Sequence, residues 1–229
     1  MNDRPQSSQN CEVNPIKGLR GSIGLCWVVR RQENAMSEQA LLPGFQLMAP
    51  PTDRLPFLNY PDMVSRWPIS RLAHRFRDEL RLHGRPRGTD IFHAALVHLG
   101  DFPGLPRHIV ARTVQAATTV QMAPFEVSFD RVMSFSRGLG RRPLVLHSDE
   151  YAAPLMTFQN ILLEALVRGK LLSTVPSKYK PCVNLLYGRQ NVEDHVVEVV
   201  TWTVRAFVLV HSLLGQNRHI VLARWPLVG

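Results

Sequence analysis

Cysteines are few: Cys11, Cys26 and Cys182 are spread over 229 residues with no close pair. A disulfide-rich scaffold needs more of them and a zinc ribbon needs them in tight pairs, so neither is expected, and a reducing cytoplasm is the expected compartment. Long apolar runs are missing as well. The strongest, such as Phe207-Val208-Leu209-Val210, are short and bounded by polar residues, well below the ~20 residues that cross a bilayer. No membrane association is expected. Gly24-Leu25-Cys26-Trp27-Val28-Val29 follows Arg20 as in a signal peptide, but the run is too short, and Arg30-Arg31 stands where a small-residue cleavage site belongs. His147, His195, His211 and His219 lack metal-ligand spacing, so no metal site is expected and they read as ordinary histidines. Gly138-Leu139-Gly140 lacks the strand-to-helix setting of a nucleotide loop and reads as a hairpin turn.

Acidic residues are outnumbered, 18 against 27 Lys and Arg, for a net charge of +9. The first fifty residues hold five basic and four acidic side chains, so the excess belongs to the rest of the chain. A body this basic attracts phosphate-rich partners over long range, which favours nucleic acid over an acidic metabolite; charge kept for solubility alone is the bland alternative. With 45% hydrophobic residues the chain has enough apolar surface for one large domain or two small lobes.

Residues 1–50 are rich in Ser, Gln, Asn, Pro and Gly without sustained periodicity, which predicts a disordered or loosely attached extension. Fold pattern begins near Arg54, so Met36 is the expected natural start and 51–229 the expected two-lobed domain. From Ile69, the apolar positions Leu72, Ala73, Phe76 and Leu80 recur at helical spacing until Gly84. A strand is predicted over Ile91–Leu99 and a helix over about Pro106–Thr119. Phe125, Val127 and Phe129 alternate with polar residues, and a basic turn from Arg137 to Arg142 leads back into Leu144-Val145-Leu146, a hairpin pattern. Leu155, Phe158, Leu162, Ala165 and Leu166 mark a helix ended by Gly169. Then come a strand at Val183–Tyr187, a short helix at about Val192–Val197, and strands at Thr203–His211 and His219–Trp225. This mixture without regular βαβ alternation predicts an α+β fold with antiparallel sheets.

Two segments look like copies of one unit: Phe92-His93-Ala94-Ala95-Leu96-Val97-His98-Leu99-Gly100 and Pro181-Cys182-Val183-Asn184-Leu185-Leu186-Tyr187-Gly188. Each is an apolar strand ending in Gly, followed by a polar loop and a helical segment. Their surroundings include Leu-Gly-Asp-Phe at 99–102, Lys180-Pro181, Trp202-Thr203-Val204, Phe207 through Ser212, and Arg224-Trp225-Pro226-Leu227. On these residues, over about three quarters of the chain, the sequence resembles the 2′-5′ RNA ligase branch of the two-histidine phosphoesterase superfamily. The resemblance implies a bilobal duplicated fold, with two antiparallel sheets facing a central cleft and helices packed outside. It further implies a monomer that needs no cofactor or metal and acts on RNA with 2′,3′-cyclic phosphate or 2′-5′ linked ends, by hydrolysis or joining.

In that family each lobe supplies a His-x-Thr/Ser strand. Residues i and i+2 of a strand share a face, so imidazole and hydroxyl enter the cleft together. One imidazole then serves as general base and the other as general acid, while the hydroxyls donate to the phosphoryl oxygens. Here His93 keeps its imidazole, but Ala95 stands at the hydroxyl position, Cys182 replaces the second histidine and Asn184 the second hydroxyl. Ala95 donates nothing, and Asn184 retains an amide donor. Cys182, with a thiol reference pKa of about 8.5, is a poor acid and an unconvincing base at neutral pH. Three functions remain open on sequence: an enzyme of impaired activity, an inactive RNA-end or phosphate binder, and a protein-interaction module. Cys182 as a nucleophile lacks a recognisable base. Lys178, Lys180 and Arg189 flank the second copy, and Arg137, Arg141 and Arg142 sit on the hairpin turn; all six are candidate RNA contacts. His98, an odd number of residues from His93, is expected to face away from the cleft.

Overall fold

The computed structural model describes residues 50–135, 142–173 and 179–229. The expected extension over residues 1–49, and with it Met36, lies outside the described residues, as do Arg137, Arg141 and Lys178. The chain runs β1 (Asp53–Asn59), α1 (Met63–Glu79), a 3-10 turn (Thr89–Ile91), β2 (Ala94–Phe102), α2 (Arg107–Ala117), β3 (Phe125–Ser134), β4 (Arg142–His147), α3 (Ala153–Arg168), β5 (Cys182–Gly188), β6 (His195–Val204), β7 (Ala206–Leu213) and β8 (Arg218–Pro226).

The α+β class holds, but hydrogen bonding joins the strands into one eight-stranded antiparallel sheet, in the order β6-β3-β4-β5-β2-β1-β7-β8, where two sheets were expected. The join is narrow. β2 and β5 pair only at Ala94 and Val183, whereas the other neighbours pair over several residues. The sheet thus consists of two four-stranded halves touching at one point, and the two motif strands are the ones that touch. The expected repeat unit does not extend past its strand, because α2 follows β2 whereas β6 follows β5.

Helix α1 begins earlier than its apolar periodicity suggests. Asp62 caps it, its carboxylate accepting the Ser65 N–H at 2.8 Å, and Pro68, which disguises the start in sequence, lies inside. Arg81, at φ 50°, turns the chain out of the helix before Gly84. Of the short helix expected at about Val192–Val197, residues 192–194 have no regular structure and residues 195–197 begin strand β6. Buried Val197 and Val200 stand three residues apart, a helical interval that a register shift opposite Phe129 and Arg131 accommodates within the strand. The predicted strand Thr203–His211 is broken at Arg205, where the chain leaves β6 on one sheet edge and enters β7 in the other half. Asn59 fastens this crossing: its Nδ2 donates to the Ala206 carbonyl at 3.0 Å, and its Oδ1 accepts the Trp202 indole N–H at 2.9 Å.

Alternation along the strands builds two unequal faces. Phe57, Ala94, Leu96, Val183, Leu185 and Phe207 join Ile69, Phe76, Phe158 and Leu162 of the helices in the main core. On the other face lie two small clusters, one per half: Leu58, Val208 and Val210 with Tyr60 and Ala95, and Phe135, Val145 and Cys182 with Met133.

Candidate functional site

Both motif copies lie on the face away from the main core. Phe92, Ala94 and Leu96 are buried, while His93 and Ala95 between them are partly exposed. The antiparallel register set by the Ala94–Val183 pair puts His93 level with Asn184 and Ala95 level with Cys182. The residues picked from the two sequence copies therefore converge on the junction of the halves. His93 precedes β2, and its Nδ1 lies 2.7 Å from the Ile91 carbonyl oxygen. A carbonyl only accepts, so Nδ1 carries the proton and Nε2 of the neutral ring keeps a lone pair. Tyr179 steadies the strand, its hydroxyl donating to the Ala95 carbonyl at 2.7 Å.

The second copy offers less than its sequence suggested. Cys182 is 3% exposed, packed with Phe135 and Val145, and disulfide-bonded. The expectation of a free thiol facing His93 is corrected, because a bonded sulfur neither gives nor takes a proton. The Asn184 Oδ1 atom is buried without a hydrogen-bond partner.

His219, which spacing made ordinary, lies beside His93 with ring centroids 5.1 Å apart and planes at 62°. The Tyr60 hydroxyl is 3.0 Å from His219 Nδ1. A cavity of about 370 Å³ opens next to them, lined by Tyr60, Arg66, Asp90, Asn217, Arg218 and His219 among others. Burial pushes His93 down to about 3, with help from the charges of His219 and Arg87 and against the Ile91 hydrogen bond. Burial and then Arg87 also lower His219, which Asp90 opposes. Both imidazoles are accordingly neutral at pH 7. Burial raises the Tyr60 hydroxyl to about 12, so it stays protonated. Nothing in the spacing of residues 60, 93 and 219 signals this meeting, which arises because the ends of β1 and β8 converge on the start of β2.

The candidate RNA contacts are dispersed. Lys180 is bound to Asp149 at 2.6 Å, with its ammonium 6.0 Å from the centre of the Phe135 ring. Arg142 pairs with Gly188 at the far end of β5, next to Arg189, and the strand's rise puts that end about 20 Å from Cys182. His147 is fully buried as the cross-strand partner of Cys182; its Nε2 is 3.2 Å from Asp194, and its Nδ1 has no hydrogen-bond partner. Burial and then the charge of Lys180 lower its pKa. His98 is 2.8 Å from Asp101, which also takes a two-pronged contact from Arg54. Among the described residues no cluster of three His, Cys, Asp or Glu is arranged to hold a metal, and no helix is long and apolar enough to cross a membrane.

The hydrogen bond from Lys180 is the main cause holding the Asp149 carboxyl below its usual range, with the charges of Lys180, His147 and Arg131 adding to it. In Lys180→Met the Asp149 pKa is expected to rise towards ~4. Since a depressed carboxyl stabilises the fold above its unfolded pKa and loses that contribution as pH falls, the variant's acid unfolding should begin at higher pH. Carboxyl NMR titration and a pH series of melts check both.

Neither a protein-family model nor a curated protein matches the chain. Solved structures do match. E. coli LigT in apo form aligns at 21% identity with a TM-score of 0.59, over 79% of this chain and 100% of LigT. A structure described as a phosphoesterase aligns at 20% and 0.60, again over 79% and 100%. The TT0787 protein of Thermus thermophilus aligns at 17% and 0.60, over 76% of this chain and 97% of its own. The chain has the fold of these proteins, that of the two-histidine phosphoesterases. LigT has been solved in complex with phosphate, with 3′-AMP, with ATP and with NADP+.

Proposed function

We propose that residues 51–229 receive the phosphate end of an RNA strand beside His93 and open 2′,3′-cyclic phosphate ends slowly, without metal, to 2′-phosphates. The observation that carries this reading is the imidazole of His93, its Nε2 lone pair fixed by the Ile91 hydrogen bond, on a strand level with the second motif position. The complexes of LigT with phosphate and 3′-AMP, and the net charge of +9, support a phosphate-bearing ligand.

In the reaction, Nε2 of His93 takes a proton from water as its oxygen attacks phosphorus, and the bond from phosphorus to the ribose 3′-oxygen breaks. That oxygen then takes its proton from solvent, because neither Cys182 nor Asn184 supplies an imidazolium. Ala95 gives the growing phosphoryl charge no donor, and Asn184 offers its amide. Joining of ends with a 2′-5′ bond follows the same course, with the 5′-hydroxyl of a second strand attacking phosphorus in place of water and the same bond to the 3′-oxygen breaking. A second reading, an RNA-end binder without turnover, is favoured by one observation, the buried and bonded state of Cys182.

The test uses an RNA oligonucleotide carrying a 2′,3′-cyclic phosphate in single turnover. The parent chain is expected to open it, and His93→Ala to be slower by ~10²-fold or more. An unchanged rate in His93→Ala removes that imidazole from the chemistry. Binding without turnover selects the second reading, and no binding at low salt rejects both.

A further inference from the structure

The segment leading into β2 does more than deliver His93. It crosses to β5, where Pro86 bridges Leu186 and the Arg87 backbone N–H donates to the Leu185 carbonyl at 2.9 Å. Gly84 passes so close that a Cβ there would lie 2.3 Å from the Tyr187 carbonyl oxygen, an approach open only to glycine. These contacts fix the backbone of Arg87 against β5, bonded to the residue after Asn184. The Nε–H of Arg87 is buried and unpartnered, and so is Oδ1 of Asn184. A buried guanidinium N–H without an acceptor is costly, and most such groups in folded proteins are satisfied. Its charge also reaches both imidazoles, of His93 and of His219.

We infer that Arg87 grips the terminal phosphate of the RNA end, a fixed cation on the β5 side of the site where the second histidine is missing. The inference rests on the proposed function and names the group that holds its ligand. A planar guanidinium matches phosphoryl oxygens with parallel N–H donors, and Asn184, the residue before the one that accepts the Arg87 backbone N–H, carries an amide donor. Asp90 is the opposing acid at the cavity. Arg87 does not give up its proton, so it stabilises phosphoryl charge without protonating a leaving group. The site therefore holds a 2′- or 3′-phosphomonoester, with ≈ −1.5 to −2 charges at pH 7, more tightly than a singly charged cyclic diester.

Calorimetric titration of the full chain with adenosine 3′-monophosphate, inorganic phosphate and adenosine tests this. Arg87→Gln is expected to weaken binding of the two phosphate probes roughly tenfold or more and to leave adenosine unchanged. Arg87→Lys, keeping the charge without the fork, should fall between, and it carries the test if the glutamine variant fails to fold. Histidine NMR adds a readout that a merely structural role would not move: losing this cation should raise the pKa of both His93 and His219, with Asp90, Tyr60 and the Ile91 carbonyl still in place. Parental affinity for phosphate in both variants overturns the inference. If the variants also open cyclic-phosphate RNA at the parental rate, the proposed function survives without Arg87. If phosphate binding falls in the variants while the parent ignores RNA ends, Arg87 stands and the RNA reading falls.

Discussion

Replacing Ala95, Cys182 and Asn184 together by Thr, His and Thr is expected to raise the rate of cyclic-phosphate opening by on the order of 10²-fold or more. The expectation follows from register. The three positions lie with His93 on one face of the sheet, at the point where β2 meets β5, so the new imidazole and hydroxyls would stand beside it once the bond at Cys182 is gone. A second imidazole gives the departing oxygen a proton donor, and two hydroxyls face the charge growing on phosphorus. The three gains should not multiply, since groups acting as one unit are not additive, and Cys182→His alone is expected to give less than its share. The checking measurement is a single-turnover assay beside the parent. A folded triple variant with no gain would remove the site from consideration.

Phe207→Ala is expected to cost about 3–5 kcal/mol of stability. Phe207 is 0% exposed, and its ring lies 5.1 Å from Phe158 edge-on, 5.1 Å from Trp225 in a stack and 5.9 Å from Phe57. Those neighbours come from β1, α3 and β8, so a void there loosens three elements at once, and rigid strands on two sides limit collapse into it. Urea unfolding measures the loss; a change below about 1 kcal/mol would show that the ring is not central to the core.

Helical spacing in the sequence located the interior of α1, and the i, i+2 spacing put His93 with Ala95 and Cys182 with Asn184 on common faces, as the strands show. Those are local signals, and local signals survive in sequence. His219 and Arg87 were overlooked for the opposite reason. His219 reaches His93 through the convergence of strand ends distant in the chain, and Arg87 is marked by a backbone bond to β5 and a buried unpartnered atom. Neither leaves a spacing to read. Strand β6 misled because a register shift gave buried Val197 and Val200 a helical interval.

The narrow join between the sheet halves also divides the chain in time. The half built of β3, β4, β5 and β6 is one unbroken stretch, Phe125 to Val204, whereas the half carrying His93 unites β1 and β2 with β7 and β8 from the end of the chain. During synthesis at roughly 5–20 residues per second, β1 and β2 emerge first and wait about 5 to 30 seconds for β7. The intervening half meanwhile has all its strands. The early strands are left with an open apolar edge during this interval, a ready target for a holding chaperone, and His93 joins His219 only once β8 is made.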